Sequence, residues 1–252
     1  MSDLRGHVSI VTGGNRGLGL GIATGLAEAG ADVVIWGRDE HMNEQAAASI
    51  RALGRRCLTI GCDVTDEAQV NESFSASAVG MGQIDSVFAN AGGDVRPTPF
   101  ADLTLQEWHD VTRLNLDAVF LCFRAAARHM IIQGTGGALV ATSSLSAFQG
   151  APAMEHYAAS KAGVAAMVRG LAVELGRYRI RANVLVPGWF DTDLTSAVKG
   201  NEAISDRITR RIPRRHWGEA SELGPVAVFL ADKALTYHTG ATMFVDGGYS
   251  LT

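Results

Sequence analysis

A single α/β domain, a doubly wound parallel sheet with helices on both faces, is the architecture this chain predicts. Three observations carry that expectation. Short apolar runs alternate with helical stretches from end to end, the pattern of a sheet covered on both sides. A glycine-rich loop joins the first apolar run to the first helical stretch. No proline-, serine- or charge-rich linker, internal repeat or low-complexity tract divides the 252 residues, a length that suits one domain with a large core.

The elements follow in order. His7-Val8-Ser9-Ile10-Val11 is an apolar run that ends at Thr12, so a strand is expected over 7–12. Thr12-Gly13-Gly14-Asn15-Arg16-Gly17-Leu18-Gly19 is the loop. A helix is expected from Leu20 to Ala29, with Gly30 as its stop. Val33-Val34-Ile35-Trp36 gives the second strand, over 32–36. Further strands are expected at 56–61, 84–89, 137–142, 180–186 and 242–245, seven in all. In such sheets ligands bind beyond the carboxyl ends of the strands.

Glycine has two physical uses in that loop. It accepts positive φ in a tight turn, and it lets backbone N–H groups come close to a pyrophosphate. The helix that opens at Gly17 to Gly19 turns its positive end towards those phosphates. The alternative is an ordinary strand-to-helix turn.

A second signal lies in His156-Tyr157-Ala158-Ala159-Ser160-Lys161, downstream of the pair Ser143-Ser144. On a helix Tyr157 and Lys161, four apart, share a face. A free phenol, with a pKa of about 10, is a poor acid or base at neutral pH. A nearby ammonium favours the phenolate. The pair therefore suits proton transfer to or from a carbonyl/alcohol couple. The spacing alone also describes many solvated helix pairs.

With these motifs in place, nearly the whole chain resembles the short-chain dehydrogenase/reductase family, a Rossmann fold. The spacing Gly-x-x-x-Gly-x-Gly of Gly13, Gly17 and Gly19 matches the family's cofactor loop, which also holds Asn15, Arg16 and Leu18. Asp63-Val64 matches its adenine contact and Asn90-Ala91-Gly92 its Asn-Ala-Gly turn. Asn115, Ser144, Tyr157 and Lys161 match its catalytic tetrad. Pro187-Gly188 with Phe190 and Thr192 matches its nicotinamide loop, and Val245-Asp246-Gly247-Gly248 its C-terminal segment. The resemblance implies hydride transfer between a nicotinamide cofactor and a ketone or secondary alcohol. In that scheme Ser144 hydrogen-bonds the substrate oxygen and Tyr157 gives or takes its proton. Lys161 lowers the phenol's pKa and holds the nicotinamide ribose, which Tyr157 also touches. Asn115 anchors a water leading from Lys161 to solvent. Each residue has a structural alternative: Ser143 or Ser144 as a turn residue, Asn115 on an amphipathic helix, Lys161 at the surface, Thr192 as a helix cap.

The cofactor is read as NADP(H). After the second strand an acid takes the ribose hydroxyls of NAD, whereas a cation accommodates the extra phosphate of NADP. The family's NAD-selecting acid aligns with Gly37, Arg38 follows, and Arg16 reaches from the loop. Two guanidinium groups can clamp one phosphate. Asp39 keeps the alternative of an NAD-dependent sugar or polyol dehydrogenase open. A dinucleotide-binding sensor or scaffold is the non-enzymatic alternative.

The segment 189–217 is where the family carries its substrate lid. Here it holds Arg207, Arg210, Arg211, Arg214 and Arg215. Arg207, Arg210 and Arg211 have helical spacing until Pro213. They read either as an attractor for an anionic substrate or as a solvated face, with Asp206 and Arg210 as an i,i+4 pair. Phe148, Gln149, Ala151, Met154, Trp189 and Phe190 would flank a largely apolar pocket. His156 faces either the substrate or the helix surface.

Composition excludes other classes. The net charge of −4 gives no reason to expect nucleic acid. No apolar run approaches the roughly 18 residues of a spanning helix, and no secretory leader is apparent. Cys57, Cys62 and Cys122 are scattered and read as reduced core residues of a cytoplasmic protein. The histidines lack metal-ligand spacing, so no metal is expected. The remaining Met, Phe and Trp side chains read as core. The resemblance implies a homotetramer built through the helices after Trp108 and after Tyr157.

Overall fold

Strands β1 (Val8–Thr12), β2 (Asp32–Gly37), β3 (Cys57–Gly61), β4 (Ser86–Ala89), β5 (Gly137–Thr142), β6 (Ile180–Pro187) and β7 (Thr242–Val245) form one sheet in the order β3-β2-β1-β4-β5-β6-β7. Every neighbouring pair is parallel. The order runs outward in both directions from the β1/β4 boundary, which opens a crevice beyond the strands' carboxyl ends. The structure is a computed structural model and describes residues 2–93 and 95–252.

The helices are α1 (Gly17–Glu28), α2 (Glu40–Ala52), α3 (Glu67–Met81), α4 (Leu105–Thr112), α5 (Ala118–Gln133), α6 (Glu155–Leu175), α7 (Ser196–Lys199), α8 (Glu202–Arg211) and α9 (Gly224–Ala231). Successive side chains on a strand point to opposite faces. Val11, Val33 and Ile35 therefore join Ile22, Leu26, Ile50 and Val228 in a core under α1, α2 and α9. Ile10, Val34 and Trp36 join Phe74, Phe123 and Val168 in a second core under α3, α5 and α6. Each fully buried large aliphatic or aromatic side chain stabilises the fold by about 1.5–3 kcal/mol, and both faces of the sheet are covered as expected.

Helix ends follow local chemistry. Asp39 caps α2 by accepting from Met42 N at 3.0 Å. Asp66 caps α3, and Thr104 with Glu107 forms a capping box on α4. Helix α1 starts at Gly17, a turn earlier than Leu20, because Arg16 is already extended as its N-cap. It stops at Glu28, and Gly30 takes up φ +102° just beyond the cap. Helix α8 ends at Arg211 because Ile212, the residue before Pro213, is extended.

Two expectations need correcting. Strand β4 begins at Ser86 rather than 84. The phenylalanines are not all core: Phe74, Phe88 and Phe123 are buried, but Phe100, Phe120, Phe148, Phe229 and Phe244 are exposed. The three cysteines are free and buried as read, and burial pushes the Cys57 thiol up to about 12. No described helix is long and apolar enough to cross a membrane.

The foot of the sheet is tied by Asp85, which is fully buried. Its Oδ2 accepts from Val8 N at 2.7 Å and Gln83 Nε2 at 2.8 Å, and Oδ1 pairs with Lys233. One carboxylate thus joins β1, the start of β4 and the segment after α9. Asp85→Ala is expected to cost about 3 kcal/mol, because it strands the buried Val8 N–H, leaves Gln83 without its acceptor and removes the partner of the part-exposed Lys233. Thermal unfolding should show Tm lower by about 6–12 °C; an unchanged Tm would contradict this account of the sheet's foot.

Candidate active site

At the carboxyl end of β1 the chain turns into the glycine loop. Gly13 N–H donates to Trp36 O at 2.7 Å, holding the loop against β2. Gly13 and Gly17 have φ of +63° and +51°, which L side chains rarely adopt. Gly19 serves a different purpose. A Cβ there would lie 2.6 Å from Asn90 Nδ2 and would also strike Gly13 O, so its hydrogen lets α1 pack onto the loop.

The amino end of α1 is open. It carries neither a side-chain cap nor an acid in its first turn, unlike α2, α3 and α4. Its first-turn N–H groups therefore lack side-chain partners and, with the helix dipole behind them, suit an anion. That is the arrangement a pyrophosphate requires. Asn15 is tied to α2, its Nδ2 donating to Asn43 Oδ1 at 2.7 Å. Leu18 packs against the core beneath α1.

A polar bracket closes the crevice floor. Thr12 Oγ1 accepts from Asn90 N at 3.0 Å and Ala91 N at 2.9 Å. Asn90 Nδ2 donates to Thr12 O, and Thr142 Oγ1 donates to Asn90 Oδ1, each at 3.2 Å. The amide of Asn90 is thus spent on joining β1, β4 and β5. Thr142 went unnoticed in the sequence, where a strand-end threonine has no distinguishing pattern.

Asn115 lies in a π-helical turn, Arg113–Asp117, between α4 and α5. Such turns often mark functional sites. The residue is fully buried and not on an amphipathic surface. Its Oδ1 accepts from Gly93 N at 2.9 Å, and its Nδ2 donates to Gly93 O and Val111 O at 3.1 and 3.0 Å. A Cβ on Gly92 would meet Asn115 Oδ1 at 2.7 Å and Lys161 Nζ at 3.3 Å, so all three groups crowd one point.

The serine pair divides its work. Ser143 is buried, and its Oγ donates to Lys161 O at 3.0 Å, fastening β5 to α6. Ser144 Oγ accepts from Ser146 N at 3.2 Å and stands beside the Tyr157 phenol. Lys161 is 3% exposed, not a surface lysine. Its Nζ donates to Thr142 O at 3.0 Å and lies 5.7 Å from the Tyr157 ring centre. Burial lowers the Lys161 ammonium to about 8. Burial raises the Tyr157 phenol, and the Ser144 hydroxyl pulls it part of the way back. The expected lowering of the phenol by Lys161 is not what this geometry gives, because desolvation dominates. His156, at 2% exposed, is not at the helix surface.

After β6, Gly188 N–H donates to Val245 O at 2.9 Å, and a Cβ at Gly188 would lie 2.6 Å from Asp246 Cβ. Pro187-Gly188 and Asp246-Gly247 therefore pass in close contact. Phe190 is buried against Gly218 and, with Trp189, lines a small cavity beside it. Trp189 packs on Trp217 and Tyr249, and Phe148 on Phe244. Thr192 is a helix cap, paired with Thr195, and its side chain stands over Gly17. Of the lid arginines, Arg211 bonds Tyr249 Oη at 2.9 Å and Thr252 O at 2.8 Å. Arg210 pairs with Asp206 at 3.7 Å and gives its carbonyl to Arg215. Arg214 and His216 line a small cavity of about 80 Å³ with Glu222 and Asp246 opposite. Arg210, Arg211 and Arg215 are thus engaged with neighbouring protein groups.

At the adenosine end Val64 is buried. The Asp63 carboxyl is held low, chiefly by hydrogen bonds from Thr65, with Arg38 and Arg113 adding to it. Arg16 and Arg38 are exposed and make no side-chain bond among the described residues. Asp39 is engaged as the α2 cap.

An open helix end at a strand-order reversal, beside a half-buried serine and tyrosine and a buried lysine, is an arrangement suited to a dinucleotide-dependent oxidoreductase. Residues 13–250 match the family model described as enoyl-(acyl carrier protein) reductase, and the chain belongs to the short-chain dehydrogenase/reductase family. It is 35% identical over 250 residues to gluconate 5-dehydrogenase of Gluconobacter oxydans (strain 621H), covering 99% of this chain and 97% of that one. It is 36% identical over 254 residues to the NADP-dependent (R)-specific alcohol dehydrogenase of Lentilactobacillus kefiri, covering 99% of each. Among solved structures it resembles gluconate 5-dehydrogenase from Burkholderia cenocepacia J2315 in complex with NADP and tartrate. The TM-score there is 0.94 and the identity 37%, over 99% of this chain and 97% of that one. The relatives named here are dehydrogenases acting on CH–OH or C=O groups, and the family binds a dinucleotide.

The buried ammonium has a thermodynamic signature. Its folded pKa of about 8 lies below the ordinary 10.5. Below pH 8 the group is charged in both states, and its burial weakens the fold by about 3 kcal/mol, at roughly 1.4 kcal/mol per pH unit between the two values. Between pH 8 and 10.5 the folded state sheds the proton first and the penalty fades. Lys161→Met leaves Thr142 O without its donor, a loss of about 1 kcal/mol. The variant should therefore be about 2 kcal/mol more stable than the parent at pH 7, with the advantage gone by pH 10.5. Denaturant unfolding at the two pH values checks this; a less stable variant at pH 7 would refute it.

Proposed function

We propose that the protein interconverts a ketone and a secondary alcohol with NADP(H), using Tyr157 as the general acid and base. The observation that carries this reading is the convergence of Ser144, Tyr157 and Lys161 under Gly92 and Asn115 at the carboxyl end of β5. An isolated buried ammonium is costly to keep, and a dinucleotide-binding scaffold would have no use for it.

The bound cofactor supplies the hydride or accepts it. Tyr157, kept neutral by burial, donates its proton to the carbonyl oxygen as negative charge develops there. Ser144 hydrogen-bonds the same oxygen. Lys161 holds its position through Thr142 O and provides the positive charge nearest the phenol. Asn115 fixes the turn that carries Gly92 and Gly93, and its remaining Oδ1 acceptor position suits a water beside Lys161. Pro187, Gly188 and Thr192 form the wall where the nicotinamide would lie, and Gly13, Gly17 and the first turn of α1 would hold the pyrophosphate. Asp63 and Val64 flank the adenine.

Arg16 and Arg38 support NADP over NAD, because both are free to take a phosphate. Asp39, the residue that would argue for NAD, is committed to the end of α2. The names of two relatives point to gluconate as their substrate, so a keto form of a sugar acid is the substrate class we favour, with the lid at 189–217 enclosing it. Exposed Phe120 and Ile132 on α5 and Val173 on α6 suit assembly into a cytoplasmic homotetramer through those helices.

Oxidation of NADPH should proceed with 5-keto-D-gluconate and fall away with aryl ketones and 3-oxoacyl thioesters. No turnover across the panel, despite tight NADPH binding, would remove the sugar-acid reading. Tyr157→Phe should lose at least about a thousandfold in kcat while its affinity for NADPH stays within a few-fold. Turnover near the parent's would end the proposed role of the phenol. Arg38→Asp should move the kcat/KM ratio from NADPH towards NADH by at least tenfold; a constant ratio would mean Arg38 does not read the phosphate.

A further inference from the structure

The end of β2 is filled in an unusual way. Asn43, on the first turns of α2, is 1% exposed. Its Nδ2 donates to Gly37 O at 2.8 Å, and its Oδ1 accepts from Asn15 Nδ2 at 2.7 Å. A chain of two side-chain amides therefore runs from the end of β2, through α2, to the glycine loop. It occupies the space a side chain at position 37 would need. A Cβ there would collide with Asn43 Oδ1 and lie 2.7 Å from Asn15 Nδ2 and 3.3 Å from Asn15 Cγ. Neither neighbour can swing aside cheaply. Each amide would give up a hydrogen bond, and that of Asn43 would be lost by a side chain only 1% exposed.

From this packing we infer that Asn43 is a specificity-determining residue, which bars an acidic side chain from position 37 and thereby locks the site to the phosphorylated cofactor. The inference rests on the NADP(H) reading above. An acid at the end of the second strand is what takes the ribose hydroxyls of NAD. In this chain the absence of that acid is not a matter of position 37 alone. The cavity for it is already taken, and the amide that takes it also fixes Asn15 in the cofactor loop. The shelf beyond Gly37 stays bare, with Arg16 and Arg38 exposed beside it. Changing the cofactor consequently requires two substitutions that act together.

The test is a double-variant cycle on the whole enzyme, with kcat/KM measured for NADPH and NADH. Gly37→Asp alone should lower NADPH use without bringing NADH use up by more than about twofold. Asn43→Gly alone should weaken both cofactors modestly, as Asn15 loses its partner. Together, Gly37→Asp and Asn43→Gly should raise kcat/KM for NADH at least tenfold above either single variant, a non-additive gain. If Gly37→Asp alone gains as much NADH activity as the pair, or if the two effects simply multiply, Asn43 has no such role. A parent enzyme that prefers NADH would instead overturn the cofactor reading itself, so the two failures are distinct. Should Gly37→Asp not fold, Gly37→Ala carries the same question. Its Tm should fall clearly in the Asn43 parent and hardly at all in the Asn43→Gly background. Equal losses in both backgrounds would overturn the inference.

Discussion

Parallel strands that all run one way leave every carboxyl end on one edge of the sheet, and this constraint governs the rest of the molecule. The strand order reverses between β1 and β4, so the chain leaves the two central strands towards opposite faces and a crevice stays open between them. Each strand then delivers one loop to that crevice. From β1 comes the glycine loop, from β4 the turn Asn90-Ala91-Gly92, from β5 the serine pair and from β6 the segment Pro187-Gly188. Helix α6 returns Tyr157 and Lys161 to the same place because Ser143 ties its backbone to the end of β5.

Electrostatics inside the crevice are set by burial more than by pairing. Among the described residues Lys161 has a carbonyl oxygen for a partner and no carboxylate, so its charge stays available to whatever binds beside it. Tyr157 is held in its neutral form, the form that can give a proton away. A site arranged this way is weaker as a fold and better prepared as a catalyst, a familiar exchange at active sites. The opposite edge of the sheet follows another rule. There the buried Asp85 has three partners and contributes to stability alone.

Much of this was legible in the sequence, for identifiable reasons. The seven strands announced themselves because each is a short apolar run, the five inner ones buried on both faces and β3 and β7 partly exposed at the edges. Tyr157 and Lys161 were legible because helical spacing places i and i+4 together. Gly13, Gly17 and Gly19 were found as a group, but pattern alone did not show that Gly19 serves packing rather than ligand approach. Asn115 was ambiguous because a π turn has no sequence signature. Asn43 and Thr142 were invisible, since their importance lies in partners 28 and 52 residues away. The lid arginines misled in part: side chains such as Arg211, bound to Tyr249 and Thr252, look the same in sequence as free ones. Exposed phenylalanines were misread as core because hydrophobicity alone does not say which face of a helix lacks a neighbour.

The polar bracket of Thr12, Asn90 and Thr142 also orders events in time. Its two links span 78 and 52 residues of chain, so neither forms until β1, β4 and β5 have found one another across long loops. Local helices can come and go before that without producing a crevice. The floor on which a dinucleotide would rest therefore cannot exist before the central strands have paired. A nascent or partly refolded chain holds every residue of the glycine loop and still has no site, and the ability to bind the cofactor becomes a clock marking the completion of the central sheet.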